Sequence, residues 1–408
     1  MSDQETTLKR GLSLPLLIFY GVGTVLGSGV YILTGKIAGE AGMLAPFAFM
    51  VAALIAGFTG FSYAELSSRY PESAGEVTYV RKAFDTRWLS TVMGYMIIIT
   101  ATLSTATVAR GFVGYFHVFW ELNYVWIILG LNLVLGAMAI WGITQAALLI
   151  TVITIVESLG IVFFIVVAGD NLADLPARAG EMVPGFELEA WHGVMGGAFL
   201  AFFTFIGFEN LVNEAEEVKN PRKNLPIAII FTLIVLTIVY MLVSMISVLA
   251  MPPEQLAEAD APLSAILGQY NSTYPIVISV ICLVASVNGS LVQTVMGSRV
   301  LYGMSKQGLA PKIFSTVNAK TRTPIYATLP FVVLTTILAF SGSVKDLASY
   351  TDYIIITLFA VVNFSLLKIK WNPTNQVAGA FKVPIWVPMV GFLLCLVFLI
   401  VYTTIELL

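Results

Sequence analysis

Long apolar runs recur along nearly the whole chain of 408 residues and constrain its fold more than any other feature. Each run is about twenty residues long, which is what an α-helix needs to cross the hydrocarbon core of a bilayer. Because only 11% of the residues are charged and 58% are hydrophobic, a water-soluble fold of this length would lack polar surface. The alternating ten-residue segments of membrane barrels are absent. The sequence therefore predicts an all-α polytopic membrane protein.

The apolar runs predict eleven membrane spans. Their approximate bounds are 12–34, 43–65, 89–117, 124–141, 144–168, 191–213, 226–250, 274–304, 324–341, 347–370 and 384–406. Seventeen of the 21 Lys and Arg residues fall in the N-terminal tail and in the loops on one side of this arrangement. The positive-inside rule makes that side cytoplasmic. We therefore expect a protein of the plasma (cytoplasmic) membrane, with its N-terminus in the cytoplasm and its C-terminus outside.

Two spans contain helix-weakening residues near their middle. In span one, the stretch GVGTVLGSGV at 21–30 holds four glycines, and in span six Gly207 and Glu209 interrupt the run FLAFFTFIGFENLV. Glycines four residues apart, taken alone, also suit a close helix-packing face. Interruptions at matching positions of two halves are, however, typical of transporters built from inverted repeats. This pairing favours unwound segments at mid-membrane.

The matching positions divide the chain into two halves of five spans. We predict a cytoplasmic tail at 1–11, a first repeat at 12–169, a second, inverted repeat at 190–370, and a loop with a peripheral eleventh helix at 371–408. Unwound segments expose backbone amides, which favour a carboxylate, and carbonyls, which favour an ammonium. An α-amino acid is the simplest ligand that carries both groups.

Four stretches resemble the signatures of the amino acid–polyamine–organocation (APC) superfamily of transporters. In chain order they are GVGTVLGSGVYIL, SYAELSSRYPESAGEVTYV, AFFTFIGFENLVNEAEEVKNPRKNLPIAI and RVLYGMSKQGLAPKIFSTVN. The resemblance covers nearly the whole chain. It implies a LeuT-type five-plus-five fold of ten core helices plus peripheral ones, in which helices 1 and 6 are unwound at mid-membrane. Relatives commonly have twelve spans, so this chain departs from that pattern by one.

The resemblance also implies a substrate site at the two breaks. In the family's binding mode, Ser28 and Gly29 would hold the substrate carboxylate. The backbone carbonyls that would meet its amine belong to Val25, Phe203 and Ile206. The full set of predicted substrate-binding residues is Val25, Gly27, Ser28, Gly29, Thr102, Phe203, Phe205, Ile206, Gly207 and Gln293.

Selectivity for the substrate side chain would come from other spans and from an aromatic gate. Phe203 or Phe205 would form the gate above the pocket, as the resemblance implies. Thr102, Asn288 and Gln293 are the polar candidates within the pocket. Each of these three also suits an ordinary hydrogen bond between helices, and the sequence leaves both roles open.

Three carboxylates are candidates for coupling or gating. Glu157 lies near the centre of span five, where a lone ionised carboxylate is costly, so it is expected to be neutral, paired or exposed to a wet cavity. It is predicted to take up the coupling proton, although a permanently protonated structural role is equally open. Glu209 is either a second protonation site or a brace for the unwound segment, and we favour the brace. Glu65 is expected to pair with loop Arg or Lys residues in an inner gate.

Two further ionisable residues are predicted within spans. Arg110 lies toward the outer end of span three, and Asp352 lies close to the outer start of span ten. Because long side chains snorkel toward the interface, ordinary interfacial placement is expected for both.

Together these features predict a secondary active transporter that works by alternating access. Proton-coupled symport of neutral L-amino acids is the favoured mode. Amino acid exchange and sodium symport remain open, and sodium would use the hydroxyls of Ser286 and Ser290. A nutrient sensor with the same fold also remains open.

Other classes of function are disfavoured. The sequence contains no HExxH, GxSxG, CxxC or paired-His motif, so neither enzymatic activity nor a metal or cofactor is expected. A channel is disfavoured because no rings of pore-lining charge accompany the broken helices. The expected partners are an amino acid, a proton or sodium ion, and membrane lipid, with no nucleic acid.

Overall fold

The structure, a computed structural model, describes most of the chain as helix. It describes residues 11–72, 75–141, 146–318, 320–371 and 377–407, and for 146–151 the backbone alone. Within these residues the only β-type pairing is an isolated bridge between Leu12 and Val218. The first eight helices are α1 (Leu14–Leu26), α2 (Gly29–Ala41), α3 (Ala45–Arg69), α4 (Gly75–Phe84), α5 (Arg87–Phe116), α6 (Tyr124–Trp141), α7 (Ala146–Ala168) and α8 (Leu175–Arg178).

The second half of the chain continues in the same way. Its helices are α9 (Leu188–Phe202), α10 (Pro221–Ala250), α11 (Pro253–Glu258), α12 (Pro262–Gly268), α13 (Tyr274–Lys306), α14 (Ile325–Ser341), α15 (Val344–Trp371) and α16 (Trp386–Leu407). Short 3-10 segments connect several of them, including Phe203–Phe205 and Phe208–Glu214 after α9.

The described helices correspond to the eleven predicted spans. Nine helical segments in the described part of the chain are long and apolar enough to cross a membrane, and α1 and α14 are shorter apolar helices. One of the nine segments contains both α2 and α3, and α1 with α2 forms one interrupted span. The predicted all-α polytopic membrane fold is confirmed. The repeat boundaries remain a prediction.

Span one is longer than the sequence predicts. We expected it to end near residue 34, but α2 continues to Ala41. The reason is packing, because a Cβ at Gly35 would overlap the backbone carbonyl of Leu256 in α11. The amine of Lys36 also donates to the carbonyl of Ala257 at 2.5 Å. These contacts hold the extra turns of helix against α11.

The loop predicted between spans two and three contains a helix of its own. Residues Gly75–Phe84 form α4, whose Glu76, Tyr79 and Val80 are buried while the opposite side is more exposed. This amphipathic pattern suits a helix that lies along the surface of the bundle.

The two interrupted spans meet in the interior of the bundle. Helix α1 contacts both 3-10 segments that follow α9, and α2 packs along α9 itself. Around them, α3 packs extensively on α10, and α13 packs on α5 and α7. The unwound parts of both spans are therefore enclosed by protein, which is the condition for non-helical backbone at membrane depth.

Candidate functional site

The first break lies between α1 and α2. Gly27, at φ −7° and ψ −166°, takes the chain out of the helix after Leu26, and α2 begins at Gly29. A Cβ at Gly27 would meet no atom within 4 Å, so this position faces open space. The first-turn amides of a helix have no intrahelical acceptor and form its positive end. The start of α2 is therefore suited to bind an anion.

The second break follows α9 and touches the first. After the 3-10 segment Phe203–Phe205, Ile206 is extended at ψ 131° and Gly207 adopts φ 127°. This positive φ is rarely accessible to other residues. A Cβ at Gly207 would also lie 3.1 Å from the carbonyl oxygen of Thr24. The second break thus requires glycine, both for its own conformation and for its approach to the first.

Tyr240 of α10 links the two breaks. Its hydroxyl is fully buried and lies 3.0 Å from the carbonyl oxygen of Val25 and 3.0 Å from that of Thr204. Since a phenol has one proton, it donates to one of these carbonyls at a time. Tyr240 was not among the residues predicted from the sequence, although it is a lone hydroxyl-bearing aromatic residue in the apolar run of span seven.

A cavity lies between the two breaks. It brings together seven of the predicted substrate-binding residues, namely Val25, Gly27, Ser28, Gly29, Phe203, Ile206 and Gln293. Asn288, Ser290 and Glu157 also line it. The cavity extends along span one to Tyr20 and along span six to Asn210.

Three predicted binding residues do not line this cavity. The hydroxyl of Thr102 is fully buried and donates to the carbonyl of Ile98 at 2.7 Å, whereas Ser104 and Thr105 of the same helix face the cavity. The ring of Phe205 packs edge-on against Tyr240 with centroids 5.3 Å apart, so of the two predicted gate residues Phe203 lines the cavity.

The other predicted residues outside the cavity are Gly207 and Ser286. Gly207 packs against the backbone of Thr24 and Val25 and does not itself line the cavity. Ser286 is buried one helical turn from Ser290, and of these two hydroxyls only that of Ser290 lines the cavity.

Glu157 presents a free acceptor to the cavity. Its side chain is fully buried, and its Oε1 lies 3.4 Å from the amide nitrogen of Asn288. Its Oε2 has no hydrogen-bond partner among the described residues, and neither has Oγ of Ser290. These oxygens are available to a proton or a cation. Within the described chain no group of three or more His, Cys, Asp or Glu comes together as a metal site.

Glu209 braces the second break. Its Oε2 accepts a hydrogen bond from the backbone N–H of Gly207 at 2.8 Å, and the side chain is buried. The carboxylate thereby satisfies an amide that the unwound backbone would leave without a partner. This geometry supports the bracing role.

Comparison with known proteins assigns the chain to a family. Residues 12–406 match the family described as amino acid permease. The chain belongs to the amino acid permease family. The predicted membership of the APC superfamily is therefore confirmed.

Individual relatives of this permease differ in what their names say they transport. The branched-chain amino acid permease BcaP of Bacillus subtilis is 31% identical over 420 residues, which cover 96% of this chain and 88% of the relative. The vacuolar cationic amino acid transporter 2 of Arabidopsis thaliana is 30% identical over 396 residues, or 90% of this chain and 61% of the relative. The methylthioribose transporter of Bacillus subtilis is 28% identical over 414 residues, which cover 97% of this chain and 89% of the relative. The permease thus spans about six tenths of the length of the first Arabidopsis relative.

Glu65 forms a buried ionic cluster in the permease, as predicted, but with specific partners. Its Oε1 lies 2.5 Å from Arg69 of the same helix, and its Oε2 lies 2.7 Å from the amine of Lys370 at the end of α15. Its Oε2 also accepts from the backbone N–H of Val383 at 2.7 Å. The cluster ties α3 and α15 to the segment before α16. Its role as a gate remains a prediction.

The interfacial placement predicted for Asp352 is wrong. Helix α15 begins at Val344, so Asp352 lies about two turns inside the span and is fully buried. Neither of its carboxylate oxygens has a hydrogen-bond partner among the described residues, and α15 contacts the 3-10 segment Phe203–Phe205 of the second break. Arg110 is partly buried, and its guanidinium lies 4.4 Å from the ring centre of Tyr124, which is a cation–π distance.

Proposed function

We propose that this permease transports amino acids by alternating access, with the substrate bound between the two breaks. The observation that carries the proposal is that both breaks border one cavity. There the amide end of α2 suits a carboxylate, and the carbonyls of the broken segments suit an ammonium. The carbonyl of Val25 already accepts from Tyr240, and that of Phe203 accepts from the N–H of Ile206. Each carbonyl has a second lone pair for the substrate.

Neutral L-amino acids are the proposed substrates. The branched-chain permease aligns along nearly its whole length and nearly the whole of this chain, whereas the Arabidopsis cationic transporter extends well beyond the match. Cationic amino acids are the second candidate, because Oε2 of Glu157 lies in the cavity wall without a hydrogen-bond partner among the described residues. A cationic side chain that reached this oxygen would form a buried ion pair.

Proton coupling through Glu157 is the proposed mode. The residue adjoins both the cavity and α1, since a Cβ at Gly23 of α1 would overlap Thr154, one turn before Glu157 on α7. A proton bound here would therefore affect the helix that carries the first break. Sodium symport would instead use Ser290, and exchange would need no ion.

The proposed location is the plasma membrane, with the N-terminus and the Lys- and Arg-rich loops in the cytoplasm. The support is the distribution of basic residues. Its relatives include Arabidopsis thaliana transporters named as vacuolar and mitochondrial, so the membrane itself needs a direct test. Protease protection of N- and C-terminal epitope tags in sealed vesicles would report the orientation.

The decisive experiment is uptake by purified permease in liposomes. Labelled leucine, lysine and methylthioribose are tested at constant sodium, with and without an inward proton gradient. Gradient-driven accumulation of leucine supports the proposal. Uptake only into liposomes preloaded with amino acid identifies an exchanger, and strong stimulation by sodium at constant pH identifies sodium symport.

A variant of Glu157 separates its two roles. If the residue carries the coupling proton, Glu157→Gln abolishes gradient-driven accumulation of leucine but retains exchange. If it binds a cationic side chain, the same change abolishes lysine uptake and leaves leucine uptake dependent on the gradient. Glu254→Gln, at an exposed position of helix α11, is the matched control and should leave both unchanged. Full gradient dependence in Glu157→Gln would rule out the proton role.

A further inference from the structure

The segment Phe208–Glu214, which follows the second break, is a seven-residue 3-10 helix. Such runs beyond three or four residues are uncommon because their hydrogen bonds are poorly aligned, and inside a helical span they often mark a hinge. Helices α1, α3 and α10 pack on this hinge, and α1 and α4 each make a close contact with one of its side chains. From α1, Tyr20 donates to Glu214 at 3.3 Å. From α4, Gly75 lies so close to Val212 that a Cβ at Gly75 would overlap its side chain.

One carboxyl of α4 is buried near the hinge, and α4 itself packs mainly on α15 and α5. Glu76 is 5% exposed, and its Oε1 accepts from the hydroxyl of Tyr63 on α3 at 3.1 Å. The ring of Tyr63 packs edge-on against Phe208, the first residue of the hinge, with centroids 5.5 Å apart. The contact between Glu76 and Tyr63 therefore connects α4 to the hinge through α3.

The groups that face Glu76 are acidic or neutral. Tyr63 approaches from α3, and Tyr79 lies buried on α4 itself. Glu209 of the hinge and Glu72 of the preceding loop bring further carboxylates to this region. Ionised Glu76 would thus face other acidic groups in a buried site.

Two basic residues, one on α4 and one on the neighbouring α15, are engaged elsewhere. Lys82 lies 3.9 Å from Glu72, on the more exposed side of α4. Lys368 of α15 lies over the ring of Phe84 at 4.2 Å, at the far end of α4. Within the described residues Glu76 forms no ion pair.

Protonation of Glu76 is therefore linked to the docking of α4. Burial raises the pKa of the Glu76 carboxyl from 4.5 to about 7, although the hydrogen bond from Tyr63 partly opposes this. The Glu76 carboxyl binds a proton more tightly when α4 is docked than when α4 is released. Low pH therefore favours docking, and docking weakens as the pH rises toward 7. For these two pKa values the ratio of released to docked helix rises roughly 70-fold between pH 5 and pH 8.

We propose that Glu76 and Tyr63 form a proton-binding site that latches the hinge. With a proton on Glu76, α4 stays docked beside Phe208–Glu214 and the Tyr20 end of the cavity stays closed. Loss of the proton releases α4 and frees the hinge to move. Only the link to transport rests on the proposed function; the proton-dependent docking does not.

Accessibility of a buried position on α4 tests this directly. Val80 is fully buried on α4, and the native Cys282 and Cys395 are first replaced by alanine. The maleimide labelling rate of Val80→Cys is measured in detergent from pH 5 to pH 8. At each pH this rate is divided by the rate for the protein that carries both Val80→Cys and Glu76→Gln. The ratio is then free of the pH dependence of thiol ionisation.

The expected ratio rises tens-fold with pH and levels off near pH 7. Glu254→Gln, at an exposed position of α11, is the control and should give the native profile. A flat ratio would overturn the proposal. If Glu76→Gln does not fold, Tyr63→Phe gives a second test. It removes a hydrogen bond that favours the ionised carboxyl, so the midpoint of labelling should move to higher pH, and an unmoved midpoint would refute the latch.

Transport is scored separately in liposomes. A normal labelling profile together with no uptake of any amino acid would reject the proposed function while supporting the latch. Normal uptake with a flat labelling profile would reject the latch while supporting the proposed function.

Discussion

Replacing Tyr240 with phenylalanine removes one oxygen atom from the point where the two breaks meet. That oxygen lies 3.0 Å from the carbonyl of Val25 and 3.0 Å from that of Thr204. The ring contacts of Tyr240 with Phe49 and Phe205, at centroid distances of 5.9 and 5.3 Å, do not involve the oxygen. The substitution therefore preserves the packing and removes only the hydrogen bond between the breaks.

The expected loss of stability in Tyr240→Phe follows from the single proton of the hydroxyl group. Because the hydroxyl donates to one carbonyl at a time, its loss deprives one buried acceptor of a donor. That costs about 1–3 kcal/mol, which corresponds to roughly a 5- to 150-fold weaker preference for the observed arrangement of the breaks. For a protein of this size we expect the thermal unfolding midpoint to fall by about 1–5 °C. Leucine uptake should slow, since the cavity loses a fixed wall.

The assay compares Tyr240→Phe with Tyr326→Phe, which loses the same atom from a half-exposed ring on α14. Thermal midpoints are measured in detergent without substrate, and uptake in liposomes. The control should match the wild type in both. If Tyr240→Phe also matches the wild type in both, the two carbonyls do not depend on the hydroxyl, and the reasoning that this residue ties the breaks together is refuted.

Three further substitutions probe the break and its supports. Gly207→Ala should abolish uptake, because a side chain at φ 127° costs about 1–3 kcal/mol; Gly57→Ala, where a Cβ meets open space, should keep normal uptake. Lys370→Met should lower the thermal midpoint by the equivalent of about 1–3 kcal/mol, because Glu65 loses one charged partner but keeps Arg69; an unchanged midpoint would contradict the ion pair. Glu209→Gln keeps an acceptor for the second break, so it should retain stability and the native pH dependence of uptake, whereas loss of pH dependence would favour the proton role.

The positions of both breaks were predictable because their signals are local. Glycines near the middle of an apolar membrane run, and Gly207 with Glu209 in another, are visible without knowledge of any tertiary contact. Which side of α5 faces the cavity was not predictable in the same way. Thr102 and Thr105 are both buried hydroxyls on one helix, and three residues rotate the side chain by about 300°. Since α5 buries hydroxyls around most of its circumference, the sequence pattern does not indicate which of them faces the cavity.

Long-range partners were the second kind of information that the sequence lacked. Tyr240 lies 215 residues from Val25 in the chain, and nothing near either residue indicates the contact. Helix α4 was predicted as loop because its charged residues mask its apolar side. Its burial depends on Tyr63 and on the hinge, which belong to other spans. Packing between distant helices therefore decided both features.

Three buried carboxylates lie near the breaks and share one property, although we expect them to differ in function. The ion pairs of the described chain include none of Glu157, Glu209 and Asp352. A buried ionised carboxylate without a partner is costly, so each must hold a proton or receive a cation. Glu157 lines the cavity and meets an entering cation directly. Asp352 does not line the cavity, and its helix α15 contacts span six at the second break, so we expect charge to reach it when span six changes shape.

This difference predicts that Asp352 affects turnover rather than binding. Asp352→Asn keeps the size of the side chain but cannot gain or lose a proton. We expect the leucine concentration for half-maximal uptake to stay within about twofold of the wild type, while the maximal rate becomes less dependent on pH. Glu157→Gln, measured alongside, should change the coupling itself. A large change in half-saturation for Asp352→Asn would show that Asp352 contacts the substrate, and the separation of the two carboxylates argued from the cavity lining would then be wrong.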